Sequence, residues 1–196
     1  LWRARCGHCP FQGEAMIQIF EEELAWLRAQ HLYRSLHSLS EVQGKYAVLE
    51  GKRVLLFCGN DYLGLAHHPR VITAFKEAAD FYGVGAGAAR LISGTTDLHT
   101  RLEEALAEFK KKEQALLFTA GYLANLGVLS ALANEKDVIV MDKLCHASLI
   151  DGAKLSGAQI RVFPHQNYGR CAEILEKSQD YRKRILVSDT VFSMDG

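Results

Sequence analysis

The sequence lacks an excess of charge of either sign and any apolar run long enough to cross a membrane. Its 196 residues include 23 basic and 23 acidic side chains, for a formal net charge of zero. A neutral chain offers neither the basic excess typical of nucleic-acid binding nor the acidic excess typical of disorder. Its apolar runs are far shorter than the roughly 20 residues of a spanning helix. A composition of 48% hydrophobic and 23% charged residues predicts one globular domain with a sizeable core.

The beginning of the chain also lacks the features of a signal or a metal site. Residues 1–15 have no long apolar stretch of the kind that a secretory signal needs. Cys6 and Cys9 form a single C-x-x-C, which indicates a redox pair or half of a zinc site. We find no two further ligands at a compatible spacing, and no strand precedes the motif. We therefore expect residues 1–15 to be a disordered extension, and the five cysteines to be reduced thiols in a cytoplasmic protein.

Residues 16–58 are predicted to form an N-terminal arm. Apolar residues recur at helical spacing from Met16 to about Leu36, which predicts an amphipathic helix. The stretch KYAVLEGKRVLLF then alternates and turns at its central EGK, which indicates a β-hairpin.

Residues 59–196 are predicted to form an α/β domain with a mostly parallel sheet. Two helices come first: one begins near Pro69 and ends at Gly83, and the next carries an apolar stripe through Leu102 and Phe109. Short β-branched runs then alternate with helical segments, which is typical of parallel strands joined by crossover helices. The predicted strands are residues 114–118, 137–142, 159–163 and 184–189.

The carboxyl ends of three predicted strands carry residues suited to binding a ligand, and ligands of parallel sheets bind at that edge. The strand 114–118 runs into Gly121 at a helix N-terminus, whose free N–H groups suit a phosphate. His146 follows the second strand and Ser193 follows the fourth. Cys145 has no obvious base beside it and is expected to be a small buried residue. We therefore expect a pocket for a phosphorylated, aromatic ligand at this rim.

Five segments occur together in an order and spacing that resemble one enzyme family. They are GNDYLGLAHHPRV, RLISGTTDLHTRLEEALAEF, ALLFTAGYLANLGVLSAL, DKLCHASLIDG and SDTVFSMDG. From about residue 20 onward the chain resembles the α-oxoamine synthases, which are fold type I enzymes that use pyridoxal 5'-phosphate. The resemblance implies an acyltransferase that acts on small-molecule substrates. It would join an amino acid to the acyl group of an acyl-CoA or acyl-carrier-protein thioester and release carbon dioxide. It also implies a homodimer of the full-length enzyme.

The resemblance implies cofactor contacts for four residues. Gly121 and Tyr122 would bind the cofactor phosphate. His146 would stack on the pyridine ring, touch the substrate and take part in catalysis. Ser193 would hydrogen-bond near the ring hydroxyl.

Substrate contacts are implied for residues nearer the start of the chain. Asn60, in the loop before the Pro69 helix, would contact substrate. Arg34, in the N-terminal arm, would bind substrate, with Arg28 as the alternative. Asp61 favours the biotin-pathway branch of the family over the glycine acetyltransferase branch, which tends to have asparagine there.

The family's cofactor-binding lysine, and the aspartate that pairs with the pyridinium nitrogen, stand downstream of the FSMDG motif. Lys136, Lys143 and Lys154 do not stand in the context of that lysine. We therefore expect this chain to be the N-terminal half of such an enzyme and to be inactive alone. Two alternatives stay open: a non-catalytic, lysine-less partner subunit, and another branch of the family such as glycine C-acetyltransferase.

Overall fold

The computed structural model describes residues 13–193 and 195–196. They fall into two units, with the boundary between Gly85 and Ala86. Cys6 and Cys9 lie outside the described residues. No helix in the described part of the chain is both long and apolar enough to span a bilayer.

The first unit begins with helix α1, Gly13–Ala29. The helix is shorter at its carboxyl end than the spacing to Leu36 predicts. His31 takes a left-handed conformation with φ 56°, and the N–H of Leu32 bonds back to the carbonyl of Leu27 at 2.9 Å. This backbone reversal satisfies the last carbonyls of the helix and ends it.

The predicted hairpin is confirmed, as part of a three-stranded antiparallel sheet. Strands β2 (Tyr46–Leu49) and β3 (Lys52–Leu55) are joined by Glu50 and Gly51, both with positive φ, as a two-residue hairpin turn requires. Strand β1, Leu39–Gln43, pairs with β2 and was not predicted, because it is short, polar and irregular between Ser40 and Gln43.

Helix α2, Pro69–Tyr82, closes the first unit where the sequence predicts it. The ring of His68 caps its start by accepting a hydrogen bond from the N–H of Arg70 at 3.3 Å. Proline in the first turn lacks only an N–H that the helix cannot use. Gly83, with φ 76°, ends the helix.

The second unit contains a three-stranded parallel sheet with crossover helices, which confirms the predicted architecture. The strand order is β5-β4-β6, with β4 in the centre and fully buried. In chain order the elements are α3 (Asp97–Lys110), α4 (Gly121–Leu132), β4 (Val138–Asp142), α5 (Ala147–Ser156), β5 (Gln159–Phe163), α6 (Tyr168–Glu176) and β6 (Arg184–Val187).

The prediction of a strand at residues 114–118 is wrong, because this segment is irregular in the structure. At Leu117, side chains bond to the backbone groups that pairing with a neighbouring strand would use. The N–H of Leu117 donates to Glu103 at 2.8 Å, and its carbonyl accepts from Arg90 at 3.2 Å. Arg90 and Glu103 are themselves paired at 2.9 Å. The segment still leads directly into α4, so Gly121 begins a helix as predicted.

The core lies on both faces of β4, because successive side chains of a strand point to opposite faces. Ile139 and Met141 pack with residues of α4 and α5, and with Cys145, which is buried as predicted. Val138 and Val140 pack on the other face with Phe163, Cys171 and Ile174. The sheet is therefore covered on both sides, and its carboxyl edge is left to carry the loops.

Candidate functional site

The N-terminus of α4 is open to a ligand. Ala120 is its N-cap in extended conformation, with no side-chain cap, and the first backbone bond of the helix runs from Ala124 to Ala120 at 3.0 Å. The N–H groups of the first turn therefore have no partner within the helix. A Cβ added at Gly121 would meet no atom within 4 Å. Free N–H groups at the positive end of a helix, with open space beside Gly121, are suited to binding an anion.

Tyr122 lies beside this site and is fixed by α5. Its hydroxyl donates a hydrogen bond to the carboxylate of Asp151. That bond raises the pKa of the Tyr122 phenol above its ordinary value, because ionisation would set two negative oxygens against each other. The Tyr122 ring meets the ring of His146 edge-to-face, with centroids 6.4 Å apart. Gly121, Tyr122 and His146 are thus brought to the same edge.

His146 is the N-cap of α5 and is held by contacts on both its ring and its backbone. Its Nδ1 accepts the N–H of Ser148 at 3.2 Å and lies 2.7 Å from the Ser148 hydroxyl. Asn125 of α4 donates to the same hydroxyl at 2.9 Å. The backbone N–H of His146 donates to Asp189, beyond β6, at 2.9 Å. The ring itself is exposed at the rim.

Ser193 stands in a turn beyond β6. The turn closes through backbone hydrogen bonds between Phe192 and Gly196, at 3.0 and 3.4 Å. Ser193 is exposed there and, among the described residues, makes no hydrogen bond with Gly121, Tyr122 or His146. Its predicted role remains a prediction.

Asn60 and Arg34 belong to the first unit, and their substrate contacts also remain predictions. Asn60 is exposed in the loop between β3 and α2. The neighbouring Asp61 orders that loop by accepting the N–H of Ala66 at 3.2 Å. Arg34 is exposed beyond α1, whereas the guanidinium of Arg28 lies 4.6 Å from the ring centre of Tyr33.

A cleft of about 260 Å³ lies beside β5 and β6, near the carboxyl edge. Its floor includes Asp142, whose carboxylate lies 3.0 Å from Nδ1 of His165. Burial alone would raise the pKa of Asp142, but hydrogen bonds from the N–H of Leu144, from His165 and from the N–H of Gln166 outweigh it and lower the pKa. This pair therefore fixes the loops that follow β4 and β5.

Sequence reasoning missed the supporting residues of the site. Asp189 could have been found, because it follows a predicted strand at the same edge as His146. Asn125 and Ser148 could not, since 23 positions separate them and only the packing of α4 on α5 brings them together. No group of three histidine, cysteine or acidic side chains in residues 13–193 and 195–196 could hold a metal ion.

The family model for aminotransferase class I and II matches residues 52–196. The 8-amino-7-oxononanoate synthase of Citrifermentans bemidjiense is 48% identical over 180 residues, which cover 92% of this chain and 46% of that protein. The synthase of the same name from Geobacter metallireducens is 45% identical over 181 residues, again covering 92% and 46%. The chain thus spans about half the length of these relatives.

Solved structures share the fold. A serine palmitoyltransferase from Sphingomonas wittichii superposes with a TM-score of 0.82 at 31% identity, covering 94% of this chain and 46% of that one. A structure of SPT with PLP gives a TM-score of 0.84 at 29% identity, and the match covers 92% of this chain and 47% of that one. An 8-amino-7-oxononanoate synthase from Francisella tularensis gives a TM-score of 0.53 at 35% identity, and the match covers 60% of this chain and 33% of that one.

Proposed function

Because this chain belongs to the aminotransferase class I and II family, we propose that it contributes about half of a pyridoxal-phosphate-dependent 8-amino-7-oxononanoate synthase. Such an enzyme joins L-alanine to a pimeloyl thioester, releases carbon dioxide and serves biotin biosynthesis. The fold is that of fold type I pyridoxal-phosphate-dependent transferases, present here as part of the large domain. The proposed enzyme acts as a homodimer.

The observation that carries the proposal is the open N-terminus of α4 beside the exposed ring of His146. The free N–H groups at Gly121 and Tyr122 suit a phosphate monoester, and the absence of a Cβ leaves room for it. An imidazole at the same edge supplies a flat face for an aromatic ring. The residues present therefore fit pyridoxal phosphate, which when bound withdraws electrons from the α-carbon of an amino acid.

The chain's own residues then have separate tasks. Gly121 and Tyr122 bind the phosphate through backbone N–H groups, and Ser193 donates near the ring hydroxyl. His146 orients the ring and contacts the substrate. Asn60 and Arg34 hold the substrate, with Arg28 as the alternative to Arg34. Orientation of this kind lowers the barrier because reacting groups meet without a further entropy cost.

The chain by itself is proposed to be inactive. The lysine that holds the cofactor covalently, and the aspartate that keeps its ring nitrogen protonated, have no counterpart in the family context among residues 1–196. Mixed with pyridoxal phosphate and then borohydride, the chain should therefore yield no stoichiometric adduct on one lysine. A single stable adduct, located by peptide mass spectrometry, would contradict this part of the proposal.

The activity is tested on the longest reading frame that contains residues 1–196. Product formation and carbon dioxide release are measured with L-alanine plus pimeloyl-CoA, glycine plus acetyl-CoA, and serine plus palmitoyl-CoA. We expect the first pair to give the highest kcat/KM. A preference for either other pair would assign another α-oxoamine synthase activity. A frame that lacks the lysine and shows no activity with any pair would favour the non-catalytic partner subunit.

A further inference from the structure

The start of α5 contains a hydrogen bond whose direction is fixed by chemistry. The backbone N–H of Ser148 lies 3.2 Å from Nδ1 of His146. A backbone N–H can only donate, so Nδ1 must offer a lone pair and cannot carry a hydrogen. In the neutral imidazole the other nitrogen, Nε2, then carries the hydrogen.

The hydroxyl of Ser148 adds a second donor to the same nitrogen. Its Oγ lies 2.7 Å from Nδ1 of His146. The amide nitrogen of Asn125 donates to this Oγ at 2.9 Å, so an oxygen lone pair is used and the hydroxyl hydrogen points toward Nδ1. Ser148 is completely buried, which keeps water from competing for its hydroxyl. Asn125, Ser148 and His146 therefore form a chain in which each member donates to the next.

The backbone of His146 is anchored independently of its ring. Its N–H donates to the carboxylate of Asp189 at 2.9 Å. With the backbone held by Asp189 and Nδ1 held by Ser148, the ring edge that bears Nε2 faces away from Ser148. The ring is exposed, so this edge is available to a ligand.

From this geometry we infer that Ser148 and Asn125 are positioning residues that hold His146 in the tautomer with its hydrogen on Nε2. His146 then presents a hydrogen-bond donor, rather than an acceptor, at the rim beside Gly121. The consequence for catalysis rests on the proposed function: the donor would bind an oxygen atom of the bound substrate. The tautomer itself does not depend on that function and can be measured without cofactor.

The tautomer is tested by long-range proton–nitrogen NMR of the uniformly nitrogen-15-labelled chain, because protonated and unprotonated ring nitrogens have well-separated shifts. The ring signals of His146 are identified by their loss in His146→Gln. We expect Nδ1 to be unprotonated and Nε2 protonated in the neutral ring. A hydrogen on Nδ1 in the unsubstituted chain would overturn the inference.

Two substitutions then test the two positioning residues. Ser148→Ala removes the hydroxyl donor and should lower the ratio of the Nε2–H to the Nδ1–H form about fivefold, the factor that one ordinary hydrogen bond represents. Asn125→Asp keeps the shape of the side chain but replaces the amide donor with a carboxylate. The carboxylate accepts the Ser148 hydrogen, which then no longer points toward Nδ1. This variant should therefore also lower the ratio of the Nε2–H to the Nδ1–H form. Asn125 is only half-buried, so this variant also covers the case in which Ser148→Ala does not fold.

Ser130→Ala is the matched control, because Ser130 lies on α4 and its hydroxyl bonds to the backbone of Leu126 rather than to His146. It should leave the tautomer ratio unchanged. If Ser148→Ala and Asn125→Asp both fold and also leave the ratio unchanged, the positioning role is wrong. If the ratio shifts as expected but the longer protein has no activity, the inference stands and the proposed function fails.

Discussion

The carboxylate of Asp189 accepts a hydrogen bond from the backbone N–H of His146 at 2.9 Å, although 43 positions separate the two residues. Asp189 follows β6 and His146 follows β4, so this bond joins the loops at the ends of two adjacent parallel strands. It carries a full charge on the acceptor, which makes it stronger than a neutral hydrogen bond. The position of His146 at the rim therefore depends on β6 as well as on α5.

Replacing Asp189 should free the backbone of His146. We expect Asp189→Ala to speed hydrogen exchange of the His146 amide by about tenfold, since a charge-assisted hydrogen bond is lost. Asp189→Asn keeps an acceptor oxygen and should give a smaller change. Exchange is followed by NMR, with the amide of Ala133 as an internal reference, because it donates to the carbonyl of Leu129 at the end of α4. Equal exchange rates in all three proteins would show that the Asp189 contact does not hold His146.

The three cysteines that the structure describes should differ in reactivity toward a thiol reagent. Cys58 is exposed, whereas Cys145 and Cys171 are buried. Burial, reinforced by the negative charge of Asp189, raises the pKa of Cys145 to about 11, so almost no thiolate exists at neutral pH. Burial also raises the pKa of Cys171. Brief alkylation at pH 7.5 followed by peptide mass spectrometry should modify Cys58 and spare the other two.

A urea-unfolded sample supplies the control for that experiment, because every thiol is then accessible. Modification of Cys145 in the folded chain, at the rate seen for Cys58, would contradict its expected role as a buried, unreactive residue. In the structure the buried thiol of Cys145 packs in the core and donates a weak hydrogen bond to the carbonyl of Val187 at 3.6 Å.

The parts of the fold that sequence predicts well are those with a strong local pattern. The run around Ile139 is uniformly apolar because β4 is buried on both faces, and Pro69 and Gly83 mark the ends of α2. The edge rule for parallel sheets then places Gly121 and His146 near each other without any knowledge of side-chain contacts.

The failures arise where distant groups decide local structure. The run at 114–118 has a strand composition, but Glu103 and Arg90 take the backbone groups of Leu117. Strand β1 is missed because Glu41, with φ 50°, interrupts its alternation. The pair formed by Asn125 and Ser148 depends on helix packing, which no local pattern encodes.

The buried carboxylate of Asp137 should make the fold sensitive to acid. Arg182 contacts both of its oxygens, at 2.6 and 2.9 Å, and hydrogen bonding to Arg182 lowers the pKa of Asp137 to about 2. The folded pKa is lower than the ordinary 3.8, so the stabilisation is complete above about pH 4 and is lost as the pH falls toward 2. Urea unfolding between pH 2 and 5 should show this decline, and Asp137→Asn should remove much of it.

Glu176→Gln is the control for the acid experiment, because Glu176 is an exposed carboxylate at the end of α6. It should leave the slope of unfolding free energy against pH unchanged. Arg182→Gln should also remove the decline, or reverse it, because without its cation the buried Asp137 gains stability on protonation. It should be less stable than Asp137→Asn at neutral pH, since it leaves Asp137 charged and buried. If the free energy of unfolding still declines between pH 4 and 2 in both variants, another carboxylate causes the acid sensitivity.

The close approach of α5 to α4 at Gly152 should be essential to the geometry of the site. A Cβ at Gly152 would lie 2.9 Å from the carbonyl oxygen of Asn125 and 3.2 Å from Leu129, so the two helices would have to separate. We expect Gly152→Ala to lower the free energy of unfolding by about 1–3 kcal/mol, as overpacking does. The separation should also stretch the contact of Asn125 with Ser148. It should weaken the phosphate binding that we propose at α4, measured by titration with inorganic phosphate. Gly169→Ala is the control, because its Cβ would meet only an ordinary contact at 3.8 Å, and it should be neutral or stabilising. An equal loss of unfolding free energy in the two variants would show that helix packing at Gly152 is not the cause of the destabilisation.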